Sequence, residues 1–301
     1  CQEPGLACTH IEATLPGSYP VFLVDDALVI KLFGELFGGA RGYAVESRVY
    51  ALLGAGTQLP LPRLLATGKL YPADATWQWP YLIMTRGPGT SLGAAFARLT
   101  LDDKLRLAQQ VGDLVRHLHA TALPREGLLR AEWAPFQSFM GQQYRSCGAS
   151  HREWATLPAH MLLQLPDYVL PPEELIDLRR APCLLHADIT EDHLLGDLDG
   201  GWRLNGLIDF GDARVGDPFY ELVALHLGAF CRDKRMLRAF CERYGLAEAF
   251  EPAFVRRAMS YTLLHEFDVL APTVQDTPAA LLGSLDELAR RLWDLNDPSS
   301  L

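Results

Sequence analysis

Two short apolar runs, Leu184-Leu185 and Leu207-Ile208, are each followed by an acidic loop, with Asp188 after the first and Asp209 after the second. Runs this brief, ending at once in polar residues, read as buried strands that deliver side chains where they stop. His186-Ala187-Asp188 opens the first loop, and a potential metal ligand, His193, lies five positions beyond Asp188. The second loop reads Asp209-Phe210-Gly211-Asp212 and leads to Gly216-Asp217-Pro218. Turn chemistry explains one Asp at a strand end. It does not explain the whole string arriving in this order.

Two carboxylates on adjacent loops suit phosphoryl transfer, in which one orients a hydroxyl and the other holds the metal that neutralises nucleotide phosphates. Asp188 suits the first task and Asp209 the second. The spacing follows the catalytic and metal loops of protein kinases. Ala187 stands where many of those enzymes carry Arg, however, and no Ala-Pro-Glu follows Asp209-Phe210-Gly211, which argues against a protein substrate. The H-x-D form, with Gly216-Asp217-Pro218 and then Glu221, resembles the aminoglycoside phosphotransferase family and its choline-kinase and macrolide-kinase relatives. The resemblance spans nearly the whole chain, and its specific motifs lie between His186 and Glu221.

That resemblance implies an α+β, two-lobed protein-kinase-like fold. A small β-rich nucleotide-binding lobe is expected over 1–84, a hinge over 85–92, and a larger, mostly helical catalytic and substrate-binding lobe over 93–301. The implied donor is ATP or GTP, used with Mg2+ or Mn2+. The implied reaction carries the γ-phosphate to a hydroxyl of an antibiotic-like acceptor, as in aminoglycoside resistance. A macrolide kinase or a metabolic kinase acting on choline, homoserine or a sugar shares the same pattern, and a nucleotide-binding pseudokinase is the alternative of another class. His193 departs from the Asn usual in the family, although some antibiotic-kinase branches are similar in carrying His there. Magnesium prefers oxygen ligands and imidazole suits softer ions, so the metal falls to Asp209 with either His193 or Asp192 beside it.

The start of the chain reads as strands separated by turns, with Pro20 to Val24 and Ala27 to Phe33 forming a hairpin. By resemblance, Gly17 and Ser18 lie over the phosphates. Lys31 interrupts an apolar strand, so it either snorkels from an edge or meets a buried anion. A helix over Arg41 to Leu53 supplies Glu46, which could hold that lysine toward the nucleotide as the corresponding pair does in kinases. Tyr81 to Gly89 reads as a strand running into a breaker. The resemblance makes it the last small-lobe strand and the hinge, with the base on the main chain around Thr85 to Gly87 and Met84 beside it.

Thr100 to Asp103 reads as a capping box opening a helix with Leu107, Val111, Leu114 and Leu118 on one face. His117 and His119 near its end point to different faces and read as structural. Helices broken by turns are expected from Pro124 to Pro182. Amphipathic helices are expected over Pro218 to Phe230, Arg235 to Tyr244, Pro252 to Leu270 and Ala279 to Leu295, with a frayed tail from Asp297. Glu266, Asp268, Asp286 and Glu287 on the last two could face an acceptor, or simply solvent. His186 is expected to brace its loop, and Asp217 before Pro218 to cap a helix.

Of the 301 residues 49% are hydrophobic, enough for a substantial core. The net charge of −10 argues against a nonspecific nucleic-acid surface and favours a cationic small acceptor. Six cysteines without paired spacing read as reduced thiols of a cytoplasmic protein. No apolar run approaches a membrane span.

Overall fold

Residues rich in Val, Ile, Leu and Phe at the start of the chain pair into one antiparallel sheet. Its strands are β1 (Ile11–Ala13), β2 (Val21–Val24), β3 (Leu28–Leu32), β4 (Leu64–Lys69) and β5 (Pro80–Thr85), in the order β1-β2-β3-β5-β4. This computed structural model describes residues 8–14, 17–54, 59–276 and 283–297. The β2–β3 turn has positive φ at both Asp25 and Asp26, and the Ala27 N–H donates to the Val24 carbonyl. That backbone matches the twist of a hairpin, and Asp tolerates it better than most residues. Asp25 also accepts the N–H groups of Thr9 and His10, tying β1 to the turn.

Register fixes what the sheet presents. Lys31 stands opposite Leu82, and Val29 opposite Met84. Helix α1 (Gly39–Leu53) buries Val45, Glu46, Val49 and Leu53, so the apolar stripe that seats it also carries one carboxylate inward.

Beyond β5 the chain is mainly helical. The principal helices are α2 (Leu101–His119), α3 (Ala134–Trp154), α4 (Pro218–Ala224), α5 (Lys234–Tyr244), α6 (Ala253–Leu263) and α7 (Leu285–Trp293). Thr100 and Asp103 form the expected capping box on α2, whose Leu107, Val111, Leu114 and Leu118 are buried. Asp217 caps α4 by accepting the Phe219 N–H at 2.9 Å and pairs with Arg257. Strand β6 (Thr90–Ser91) joins β8 (Leu194–Asp197) and β9 (Arg203–Leu207) in one small sheet, while β7 (Cys183–Leu185) pairs with β10 (Arg214–Gly216). Gly89 lets the chain entering β6 cross β8: its φ is +95°, and a Cβ there would lie 2.4 Å from the Gly196 carbonyl oxygen.

Three expected helices are corrected. The one from Pro218 is α-helical only to Ala224, and Leu225–Ala229 forms a π-helical turn. The one expected to reach Leu270 stops at Leu263. There His265 stacks on Tyr220 with ring centroids 4.9 Å apart and Glu266 pairs with Arg214, contacts that draw the chain out of the helical path. Glu266 and Asp268 therefore lie on a loop. Helix α7 starts at Leu285, capped by Ser284. The residues expected to open it between 279 and 282 lie outside the described residues, as do 298–301 of the expected tail. No helix among the described residues is long and apolar enough to cross a membrane, and the five described cysteines are all free.

Candidate active site

Lys31 points inward. Its Nζ lies 2.7 Å from Glu46 Oε2 and 2.6 Å from Asp209 Oδ1, which joins β3, α1 and the loop after β9 at one ammonium group. Burial works against that charge, but the two carboxylates outweigh it and raise the lysine pKa. Burial would likewise raise Asp209, yet Lys31 and His193 hold it well below the usual carboxylate range. Glu46 is pushed up by burial and by Asp209, with Lys31 pulling the other way.

The loop after β7 is built on two buried braces. His186 donates from Nε2 to the Ile208 carbonyl at 2.9 Å and accepts the Asp188 N–H on Nδ1 at 3.3 Å, so its two ring nitrogens are assigned and it links both acidic loops. Burial lowers its pKa and keeps it neutral. Glu221, fully buried on α4, accepts the N–H of His186 at 2.7 Å and that of Ala187 at 2.9 Å. His119 approaches the same carboxylate at 3.4 Å and meets the Tyr244 hydroxyl at 2.8 Å. The clamp holds Ala187 at φ 69°, and Asp209 sits at φ 67° on the facing loop. Left-handed backbone at non-glycine residues persists where surrounding contacts enforce it.

Asp188 emerges from this clamp into the cleft. Burial pushes its carboxyl up to about 6, opposed by His193. His193 directs Nδ1 at the Asp188 carbonyl, 2.6 Å away. That bond places a proton on Nδ1, and Nε2 faces Asp209 Oδ2 at 3.8 Å; burial opposes a charge on the ring, but Asp209 and Asp188 outweigh it and raise the imidazole pKa. Asp209 has 38% of its side chain exposed.

Among the described residues no three His, Cys, Asp or Glu side chains converge on one metal position. One carboxylate oxygen would fit a divalent ion whose other ligands are phosphates and water, as magnesium is held beside a nucleotide, and the imidazole nitrogen next to it would suit a softer ion. Asp192 borders the same cleft.

The cleft measures about 970 Å³ and runs from the strand ends to the helical half of the molecule. Gly17, Ser18, Met84, Thr85 and Gly87 all border it, together with Lys31, Glu46, Asp188, His193 and Asp209. A Cβ at Gly17 would meet nothing within 4 Å, so packing in the protein does not demand glycine there. The N–H groups of Thr85 and Arg86 donate to Arg63 and Ala27. Gly87 is the member of that trio whose N–H has no partner among the described residues.

Several neighbours carry no sequence signature of their role. Tyr19 donates its hydroxyl to the Phe37 carbonyl at 2.7 Å. Arg214 pairs with Glu266 and lies 3.8 Å over the Phe139 ring, which sets that aromatic at the edge of the cleft. A lone Arg beside the apolar Val215 was the available hint, of the same kind as Lys31. Of the other acidic candidates, Asp268 bonds Thr156, Glu287 pairs with Arg291, and Asp286 borders a separate small cavity.

A model of the phosphotransferase enzyme family, APH, matches residues 20–259. Among solved structures, the GDP complex of aminoglycoside 2'-phosphotransferase-IIIa superposes with a TM-score of 0.68 at 21% identity, covering 96% of this chain and 95% of that one. A ternary complex of aminoglycoside phosphotransferase APH(4)-Ia with AMP-PNP and hygromycin B gives 0.61 at 19% identity, covering 97% and 95%. These likenesses show a shared protein-kinase-like fold. A curated relative, Lysine-specific demethylase JMJ21 of Arabidopsis thaliana, is 25% identical over 248 residues, which cover 64% of this chain. The match spans 26% of that protein's length.

Proposed function

Because the chain belongs to the phosphotransferase enzyme family, we propose that it moves the γ-phosphoryl group of ATP or GTP to a hydroxyl of a small, antibiotic-like acceptor. The observation that carries this reading is the convergence of Lys31, Glu46, Asp209 and Asp188 in one cleft. The small lobe to residue 84 and the hinge over 85–92 hold the nucleotide, and 93–301 supplies the chemistry. Met84, Thr85 and Gly87 line the base, with the Gly87 N–H as main-chain donor. Gly17 and Ser18 cover the phosphates, and Lys31, oriented by Glu46, contacts them.

Asp209 and His193 Nε2 hold a divalent ion, Mg2+ or Mn2+. When bound, that ion neutralises charge on the phosphates. Asp188 accepts a hydrogen bond from the acceptor hydroxyl and orients its oxygen toward the γ-phosphorus. As the new P–O bond forms, the bond to the bridging oxygen of the nucleotide breaks, the hydroxyl proton passes to Asp188, and the nucleoside diphosphate leaves. Catalysis of this kind rests on positioning and electrostatics, which is what the buried clamp on the Asp188 loop supports.

Solved structures of the neighbours contain kanamycin or hygromycin B, and aminoglycosides are therefore the first acceptors to try. Macrolides, choline, homoserine and sugars are other classes served by the same chemistry. Free cysteines among the described residues and a nucleoside triphosphate donor are in keeping with work in the cytoplasm. The test is nucleotide consumption across such a panel, with mass spectrometry of the acceptor. Gain of one phosphate by an acceptor is expected. Saturable nucleotide binding with no consumption, whatever the acceptor, would favour a pseudokinase.

A further inference from the structure

Past Asp188 the cleft is walled by Arg41, Asp212, Arg214, Glu266, Phe139 and Phe267. The net charge of −10 suggests a wall that seeks cations, but the local pairing differs. Asp212 lies 3.6 Å from Arg41, and Glu266 accepts from Arg214. Arg214 is in turn sandwiched near two rings, 3.8 Å from the Phe139 centroid and 5.3 Å from that of Tyr220. Each carboxylate of this wall thus has its own arginine. Elsewhere in the cleft Glu46 and Asp209 share Lys31, His193 stands beside Asp188, and Asp192 is the one carboxylate with no ion pair among the described residues. A polycation entering here gives up hydration without finding a set of unpaired carboxylates in return.

The apolar surface points to a different ligand. Phe267 is 45% exposed and Phe37 is 75% exposed, and both border the cleft. Single exposed hydrophobics are ordinary; two exposed phenyl groups that border the same cleft as Phe139 give its lining an apolar share that a ligand can cover. Phe37 is held at φ 57° with its carbonyl bonded to Tyr19, which fixes its backbone at the mouth.

Resting on the phosphotransfer reading, we propose that the acceptor is an uncharged or singly charged hydroxyl compound with a broad apolar face, packed on Phe267 and Phe37 with its hydroxyl toward Asp188, and that polycations are disfavoured. The test is calorimetric titration of the full chain, first with nucleotide and divalent ion, then with naphthyl β-D-glucoside or kanamycin, followed by mass spectrometry. The glucoside is expected to bind saturably, with little salt dependence, and to gain a phosphate, whereas kanamycin shows no saturable binding. Phe267→Ala should weaken the glucoside about tenfold. Arg41 is 48% exposed, so Arg41→Gln should fold, unmask Asp212 and let kanamycin bind. Kanamycin binding more tightly than the glucoside to the wild type overturns the proposal, as does binding of neither, or a Phe267→Ala variant that binds the glucoside unchanged. Loss of the phosphotransfer reading itself shows earlier, as absence of nucleotide binding before any acceptor is added.

Discussion

The pH dependence of the reaction should follow the position of Asp188. With its carboxyl raised to about 6 by burial, the charged form that accepts a proton is lost as pH falls through that value. The rate with a phosphorylated acceptor should therefore drop on the acid side of about pH 6. Asp188→Ala should lower turnover by about 10²–10⁴-fold while calorimetric nucleotide affinity stays near wild type; wild-type turnover would remove Asp188 from this role. For His193, Asn in its place can still donate to the Asp188 carbonyl but offers oxygen instead of imidazole nitrogen to an ion beside Asp209. His193→Asn is expected to retain turnover and to shift metal preference from manganese toward magnesium, as read by rates in each metal. Lys31 and Glu46 share one contact of 2.7 Å. In a double-mutant cycle on nucleotide affinity, Lys31→Met with Glu46→Gln should cost less than the two single losses added together, and strict additivity would disconnect them.

Among the elements, α4 does more than pack. It sends Glu221 under the loop after β7, where one carboxylate takes two successive N–H groups. Gln at this position keeps the size but points an amide donor at one of those donors. An unsatisfied buried donor costs about 1–3 kcal/mol. Glu221→Gln should lower the denaturation midpoint accordingly, and by loosening Ala187 it should reduce turnover more than nucleotide affinity. Equal loss of both would argue for general destabilisation rather than positioning of Asp188.

At the scale of the whole molecule, buried neutral histidines set the acid limit of the fold. Burial depresses His226 to about 4 and His265 to about 3, against about 6.5 in an unfolded chain. Between those values the unfolded chain binds protons that the folded chain refuses. Stability is therefore fully present above about pH 6.5 and falls as pH drops toward 4. Denaturant melts across that range should show the loss, and His226→Gln should flatten part of it. A midpoint independent of pH from 7 to 4.5 would contradict this.

Much of the Lys31 side of the cleft was legible along the chain. A hairpin, a lysine strand, a capping box and two acidic loops are each specified by residues close in sequence, because hydrogen bonding and side-chain periodicity act over a few positions. Lys31 illustrates the boundary: its sequence context left edge and interior both open, and only its meeting with Asp209, 178 positions away, decided between them. The cleft wall beyond Asp188 was not legible. Arg214 meets Glu266 across 52 positions, and Glu266 reaches it because α6 ends at Leu263, an ending enforced by tertiary contacts of His265 and Glu266 that no local pattern encodes. Sequence alone set the kinds of group available for phosphoryl transfer. Long-range packing decided which charges are paired and which rings stay exposed, since pairing and burial belong to surfaces that exist only once distant segments meet.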